Sequence, residues 1–124
     1  MSTLSLVLML LAHLGHPKTI ERAVELANVA ADIASTDASD NEAALLVAIC
    51  LHESNCHREA IGDGGKSRGA WQVRGRDVSA AGALAKVRWS MRVCGNLAPY
   101  AGARRCGDVP DVVASLIDPT LPRR

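Results

Sequence analysis

Glu53 is the first side chain of this chain whose position suggests chemistry. Leu45, Leu46, Ile49 and Cys50 precede it by eight, seven, four and three residues, so all five share one helical stripe. A carboxyl at the end of an apolar stripe has two readings. On an exposed, frayed helix end it is an ordinary solvated glutamate. In an apolar pocket, burial disfavours the charged form, and the negative end of the helix dipole acts in the same sense. A carboxyl that keeps its proton near neutral pH is a general acid. The preferred second carboxylates, as partners that could activate water, are Asp63 and then Asp77.

Around Glu53 the sequence reads Cys50-Leu51-His52-Glu53-Ser54-Asn55-Cys56-His57. Two thiols and two imidazoles this close invite a zinc reading, in which Cys50, His52, Cys56 or His57 ligate a structural metal. The spacing argues against it. The second histidine follows the first by five residues instead of four, which turns it off the shared helical face. No metal and no cofactor is expected.

Ala60 to Ser67, ending Gly65-Lys66-Ser67, resembles the tail of a phosphate-binding loop. Such a loop joins a buried strand to a helix whose N-terminal amides hold the phosphates. A helix end and a polar loop precede Ala60, and Gly69 and Gln72 follow where a helix should be under way. Nucleotide binding is therefore not the expectation, and the glycines are read as turn formers.

The totals exclude other classes. The chain has 124 residues, 48% hydrophobic and 22% charged, with 14 basic and 13 acidic side chains and a net charge of +1. One domain with one core is expected, over residues 1–117, followed by a tail at 118–124. Balanced charge gives no broad attraction to nucleic acid or anionic lipid; Arg104-Arg105 and Arg123-Arg124 are too few to form a basic stripe. With Trp71, Trp89 and Tyr100 the only aromatics, the core must come from Leu, Val, Ile and Ala, which favours close-packed helices. Four cysteines, Cys50, Cys56, Cys94 and Cys106, suggest disulfides and an oxidising compartment. Of the three possible pairings, Cys94 with Cys106 is preferred because the loop between them holds Gly95, Pro99 and Gly102.

The elements that must position these groups are mainly helical. The run Leu4 to Leu11 is shorter than the roughly 20 apolar residues a bilayer span needs. It is read as a buried first helix, with an uncleaved or degenerate export signal as the alternative, and Pro17 ends it. A second helix is expected over 19–35, on a stripe of Ile20, Val24, Ala27, Ala31 and Ala34. Ser39 and Glu42 form a capping box for a third, over 41–54, apolar on nearly every side and so placed in the middle of the domain. Residues 55–75 carry five glycines and read as a loop, with a short hairpin around Gly62 to Gly65. A fourth helix over 79–94 presents Ala80, Leu84, Val87, Met91 and Cys94, and Gly95 ends it. Trp89 is assigned to core or surface packing. A short last helix is expected over 110–117, opened by Pro110. No strand–helix alternation appears, so a parallel sheet is not expected.

Set in this order, Glu53-Ser54, Gly69-Ala70-Trp71-Gln72 and Tyr100-Ala101-Gly102 resemble the lysozyme-like superfamily, in particular its lytic transglycosylase domains. The resemblance covers about residues 41–107. Two departures stand out: no Asn separates Tyr100 from Ala101, and Asn55-Cys56 replaces the aromatic that usually follows Glu-Ser. The resemblance implies a mainly α, lysozyme-like small helical domain, with a glycine-rich loop or short β-hairpin after the catalytic helix. It implies cleavage of the MurNAc–GlcNAc β-1,4 linkage of peptidoglycan with Glu53 as the single acid, the sugar's own C6 hydroxyl closing a 1,6-anhydro ring. Ser54, Gly69, Trp71, Gln72, Tyr100 and Ala101 would contact substrate, with three alternatives open: Ser54 orienting Glu53 or capping the helix end, Trp71 as a core residue, and Gly69 as a turn former. A muramidase that hydrolyses the same bond, using Asp63 or Asp77, is the alternative; a non-catalytic wall-binding or structural domain of the same fold is the third reading. The implied partner is the peptidoglycan glycan strand, met by a monomer without a stable membrane span. The implied place of action is the cell wall, reached by secretion, by periplasmic export or by a phage as an endolysin.

Overall fold

The computed structural model describes residues 2–102, 105 and 106. The expected last helix and tail lie outside the described residues. Four helices carry the architecture: α1 Thr3–Gly15, α2 Ile20–Ala34, α3 Asp40–Ser54 and α4 Ala80–Cys94. Between α3 and α4 lie three two-residue strands, β1 Ile61–Gly62, β2 Ser67–Arg68 and β3 Val73–Arg74. They pair antiparallel in the order β1-β2-β3, with Ile61 opposite Arg68 and Ser67 opposite Arg74. The expected hairpin is β1–β2, closed by a 3-10 turn at Asp63–Gly65 in which Gly64 takes φ 65°. No helix among the described residues is long and apolar enough to cross a membrane.

Each helix starts at a side-chain cap. Ser2, Thr19, Ser39 and Ser79 each accept a hydrogen bond from the backbone N–H three residues on, satisfying a donor that the helix leaves free. The capping box is present, with Ser39 and Glu42 each bonded to the other's backbone N–H. α3 is the central helix: Ala43 and every residue from Leu46 to Leu51 are buried. Gly95 ends α4 in the left-handed region at φ 68°, as anticipated.

Two stripes differ from expectation. On α2 the buried residues are Leu26, Val29, Ala30 and Ile33, while Ile20 and Val24 are 81% and 54% exposed. Both sets have helical spacing, but the first offers three large side chains to the core and the second mostly alanines. Burial scales with apolar area, so the larger set turns inward. On α4 Met91 faces solvent and Ser90 is buried instead. α1 is buried on one stripe only, through Val7 and Leu11; Leu4, Leu8 and Met9 remain exposed.

Both disulfides lie beside α-helix ends: Cys50–Cys56 at the end of α3 and Cys94–Cys106 at the end of α4. The second is the preferred pairing. Bonds of this kind persist in oxidising, extracytoplasmic compartments. The first corrects the zinc alternative, because the two thiolates that reading needs are bonded to each other.

Candidate active site

Glu53 sits in the last turn of α3, and the chain reverses directly after it. Asn55 and Cys56 both take the left-handed conformation, at φ 54° and 58°. The Cys56 N–H donates to Cys50 O at 2.8 Å and the Asn55 N–H to Leu51 O at 3.2 Å, closing the last carbonyls of the helix. The Cys50–Cys56 bond holds the same turn covalently. Arg22 from α2 donates to the Asn55 carbonyl, and its other nitrogen pairs with Glu25, which also meets His57 at 3.0 Å. The end of α3 is thus tied down on three sides.

The Glu53 side chain is 29% exposed and opens into a cleft of about 740 Å³. The cleft is lined by Glu53 from α3, Asp63, Ser67, Gln72 and Arg74 from the small sheet and its turns, Lys86 and Trp89 from α4, and Pro99 to Gly102 from the loop beyond it. This corrects the expected apolar pocket. The stripe of Leu46, Ile49 and Cys50 is buried, but it stops one turn short of the carboxyl, which emerges among polar side chains. Beside it, His52 Nδ1 lies 3.9 Å from Glu53 Oε1 and is buried without a hydrogen-bond partner.

Ser54 does not line this cleft; it joins two segments that do. Its hydroxyl donates to Ala70 O at 2.6 Å and accepts from the His57 N–H at 3.2 Å. The turn it holds brings in Gln72, at φ 50°, whose amide nitrogen donates to Gly69 O at 3.0 Å and Ala60 O at 3.3 Å. Gly62 leaves room for that amide, since a Cβ there would collide with Gln72 Oε1. Gln72 lines the cleft.

Trp71 and Gly69 are corrections. Trp71 is 2% exposed and its indole N–H donates to Leu46 O at 2.8 Å, so the ring belongs to the core and does not line the Glu53 cleft. Gly69 is buried at φ 81°, and a Cβ there would stand 3.1 Å from Val78 O. It is a packing glycine. Both line a different, smaller cavity of about 270 Å³.

Tyr100 reaches the cleft with its hydroxyl engaged, donating to Trp71 O at 2.8 Å. Burial, then the Glu53 charge, pushes its pKa well above the usual phenol value. Buried Ser90 places it: Ser90 Oγ accepts from the Tyr100 N–H at 3.1 Å and donates to Asn96 O at 2.8 Å. Ala101 also lines the cleft. Asp63 does too, hydrogen-bonded to Ser67 Oγ at 2.7 Å and paired with Arg74 at 3.2 Å. The Ser67 bond, then the Arg74 bond, hold its pKa below the usual carboxylate value. Asp77 does not line this cleft. It caps the start of α4 through the Ser79 N–H at 3.0 Å, which removes it as a second carboxylate.

No family model, no curated protein and no solved structure matches the chain. The site therefore rests on its own geometry. Gly65-Lys66-Ser67 runs from a 3-10 turn into β2, with no helix until Ala80. That is not the strand–loop–helix a phosphate loop needs. Several cleft residues were not among the sequence candidates, Ser67, Arg74, Pro99 and Gly102 among them; the two contributed by α4 are Lys86 and Trp89. They are three residues apart and so share one face of α4, but that face runs beside the buried stripe and carries no pattern of its own. Trp89, 43% exposed, is the accessible aromatic here, in place of Trp71.

Proposed function

We propose that this protein is a peptidoglycan-cleaving glycosidase of the lysozyme-like type, acting on the MurNAc–GlcNAc β-1,4 linkage outside the cytoplasm. The observation that carries the reading is Glu53 at the end of the buried helix, facing a cleft shared with Gln72, Tyr100 and Trp89. The cleft volume, about 740 Å³, falls in the range of small-ligand sites and would hold a short stretch of glycan. Each of the three segments that carry the resemblance puts a residue in this one cleft: Glu53, Gln72, and Tyr100 with Ala101. Two disulfides agree with an extracytoplasmic place of work.

In the proposed reaction, Glu53 acts in the form that carries its proton and gives that proton to the bridging oxygen as the C1–O bond breaks. The sugar passes through an oxocarbenium-like transition state. The resulting Glu53 carboxylate then takes the proton of the C6 hydroxyl while O6 bonds to C1, which leaves a 1,6-anhydro end. The tied end of α3 keeps the carboxyl fixed relative to the cleft, which lowers the entropic part of the barrier. Asp63 favours a second reading. Among the described residues it is the other carboxylate in the cleft, and an ionised carboxylate there could draw a proton from water, giving hydrolysis instead.

Mass spectrometry of the muropeptides released from purified cell walls tests both. Anhydro ends support the transglycosylase; reducing ends support hydrolysis. Equal release by wild type and Glu53→Gln, or none by either, removes the enzyme reading and leaves a wall-binding domain.

A further inference from the structure

Lys86 stands apart among the cleft cations. Arg74 is paired with Asp63 at 3.2 Å. Among the described residues, Lys86 has no carboxylate oxygen within 4.0 Å. Its ammonium lies 4.3 Å from the centre of the Tyr100 ring, a cation–π contact that holds it against one wall. It is partly buried, and Glu53 is close enough to act on it: burial pulls the Lys86 pKa down, and the Glu53 charge partly offsets this. A partly desolvated ammonium with no hydrogen-bonded anion has unused capacity for a charge-assisted hydrogen bond. One helical turn away on the same face, Trp89 presents an exposed ring to the same cleft.

We propose that the cleft selects a glycan strand carrying a carboxylate at the sugar beside the cleaved bond, with Lys86 as the residue that recognises that carboxylate and Trp89 as the surface on which the adjoining sugar ring lies. This rests on the glycan-cleaving reading and adds the substrate feature that sets its specificity. A neutral strand would leave Lys86 without a hydrogen-bonded anion among the described residues. In peptidoglycan the carboxylate has two sources. A strand stripped of peptide exposes the lactyl carboxylate on the sugar itself; a peptide-bearing strand converts that group to an amide but brings carboxylates along the peptide.

The test is binding to the Glu53→Gln protein, which would hold strands without cutting them. Three probes are compared by calorimetry: peptide-free strands with free lactyl carboxylates, the same strands with those groups converted to methylamides, and peptide-bearing strands. The expected result is about tenfold weaker binding of the methylamidated strands than of the tighter carboxylate-bearing probe. Lys86→Gln on the same background should abolish this preference, and Lys86→Arg should retain much of it. Whichever carboxylate-bearing probe shows the Lys86-dependent gain identifies the source. The inference is overturned if methylamidated strands bind as tightly as both carboxylate-bearing probes, or if Lys86→Gln weakens all three equally, since the lysine then only supports Tyr100. The probe comparison needs no Lys86 variant, so a misfolded variant does not spoil it. Cleavage by wild type is scored separately. A carboxylate preference without cleavage sinks the enzyme reading alone; cleavage with no preference sinks this inference alone.

Discussion

Ser54 Oγ donates to the Ala70 carbonyl at 2.6 Å, so the residue after Glu53 is fastened to the turn that carries Gln72. One side chain thereby sets the distance between two walls of the cleft. Ser54→Ala would leave the Ala70 carbonyl and the His57 N–H without this partner. The expected cost is about 1–3 kcal/mol of stability, read from urea denaturation midpoints. Glycan affinity should fall with it, because Gln72 is no longer held. An unchanged midpoint would show that the hydroxyl does not join the two segments.

Glu53→Gln keeps the shape and removes the transferable proton. If Glu53 is the acid, cell-wall clearing should drop by about a hundredfold or more, the usual scale for a lost general acid. Circular dichroism should be unchanged, since Gln keeps the size and shape of a side chain that is partly open to solvent.

The two tryptophans should separate stability from binding. Trp71→Ala removes a buried ring and its bond to Leu46 O, and should cost about 3–5 kcal/mol. Trp89→Ala removes an exposed ring and should leave the thermal midpoint nearly unchanged while weakening glycan binding. The same assignment predicts that glycan alters the fluorescence of Trp89 and not of Trp71.

Glu42 links the start of α3 to α4 through Arg88, at 2.8 Å and 3.0 Å. The Arg88 bonds, then the Ser39 backbone N–H, hold its pKa down to about 2 from 4.5. The folded value lies below the unfolded one, so ionised Glu42 favours the fold above about pH 4.5. That contribution is lost as pH falls from there toward about 2. The pair is partly exposed, so screening limits it to about 1 kcal/mol or less. Glu42→Gln should therefore lower stability slightly at pH 7 and flatten its decline between pH 5 and pH 2, measured by chemical denaturation across about that range.

Cys94–Cys106 closes a longer loop than Cys50–Cys56, with separations of 12 and 6 residues. In the chain-entropy account the longer loop contributes more, here about 2–3 kcal/mol. A double Cys94→Ser/Cys106→Ser variant should show that loss in its denaturation midpoint. It should also loosen the loop that carries Tyr100.

By itself, the sequence determined whatever depends on neighbours along the chain. Ser39 and Glu42 cap α3 because their reach spans three residues. Gly95 ends α4 because glycine tolerates a left-handed backbone. Glu53 belongs to the last turn of α3 because helical spacing is regular. Tertiary structure decided which of two equally periodic stripes on α2 turned inward, since that depends on the area buried against α1 and α3. It likewise put Trp71 in the core and Trp89 at the cleft, moved Asp77 out of contention, and set Lys86 beside Glu53. Those outcomes follow from side chains far apart in the chain competing for the same space, and no local pattern records that competition.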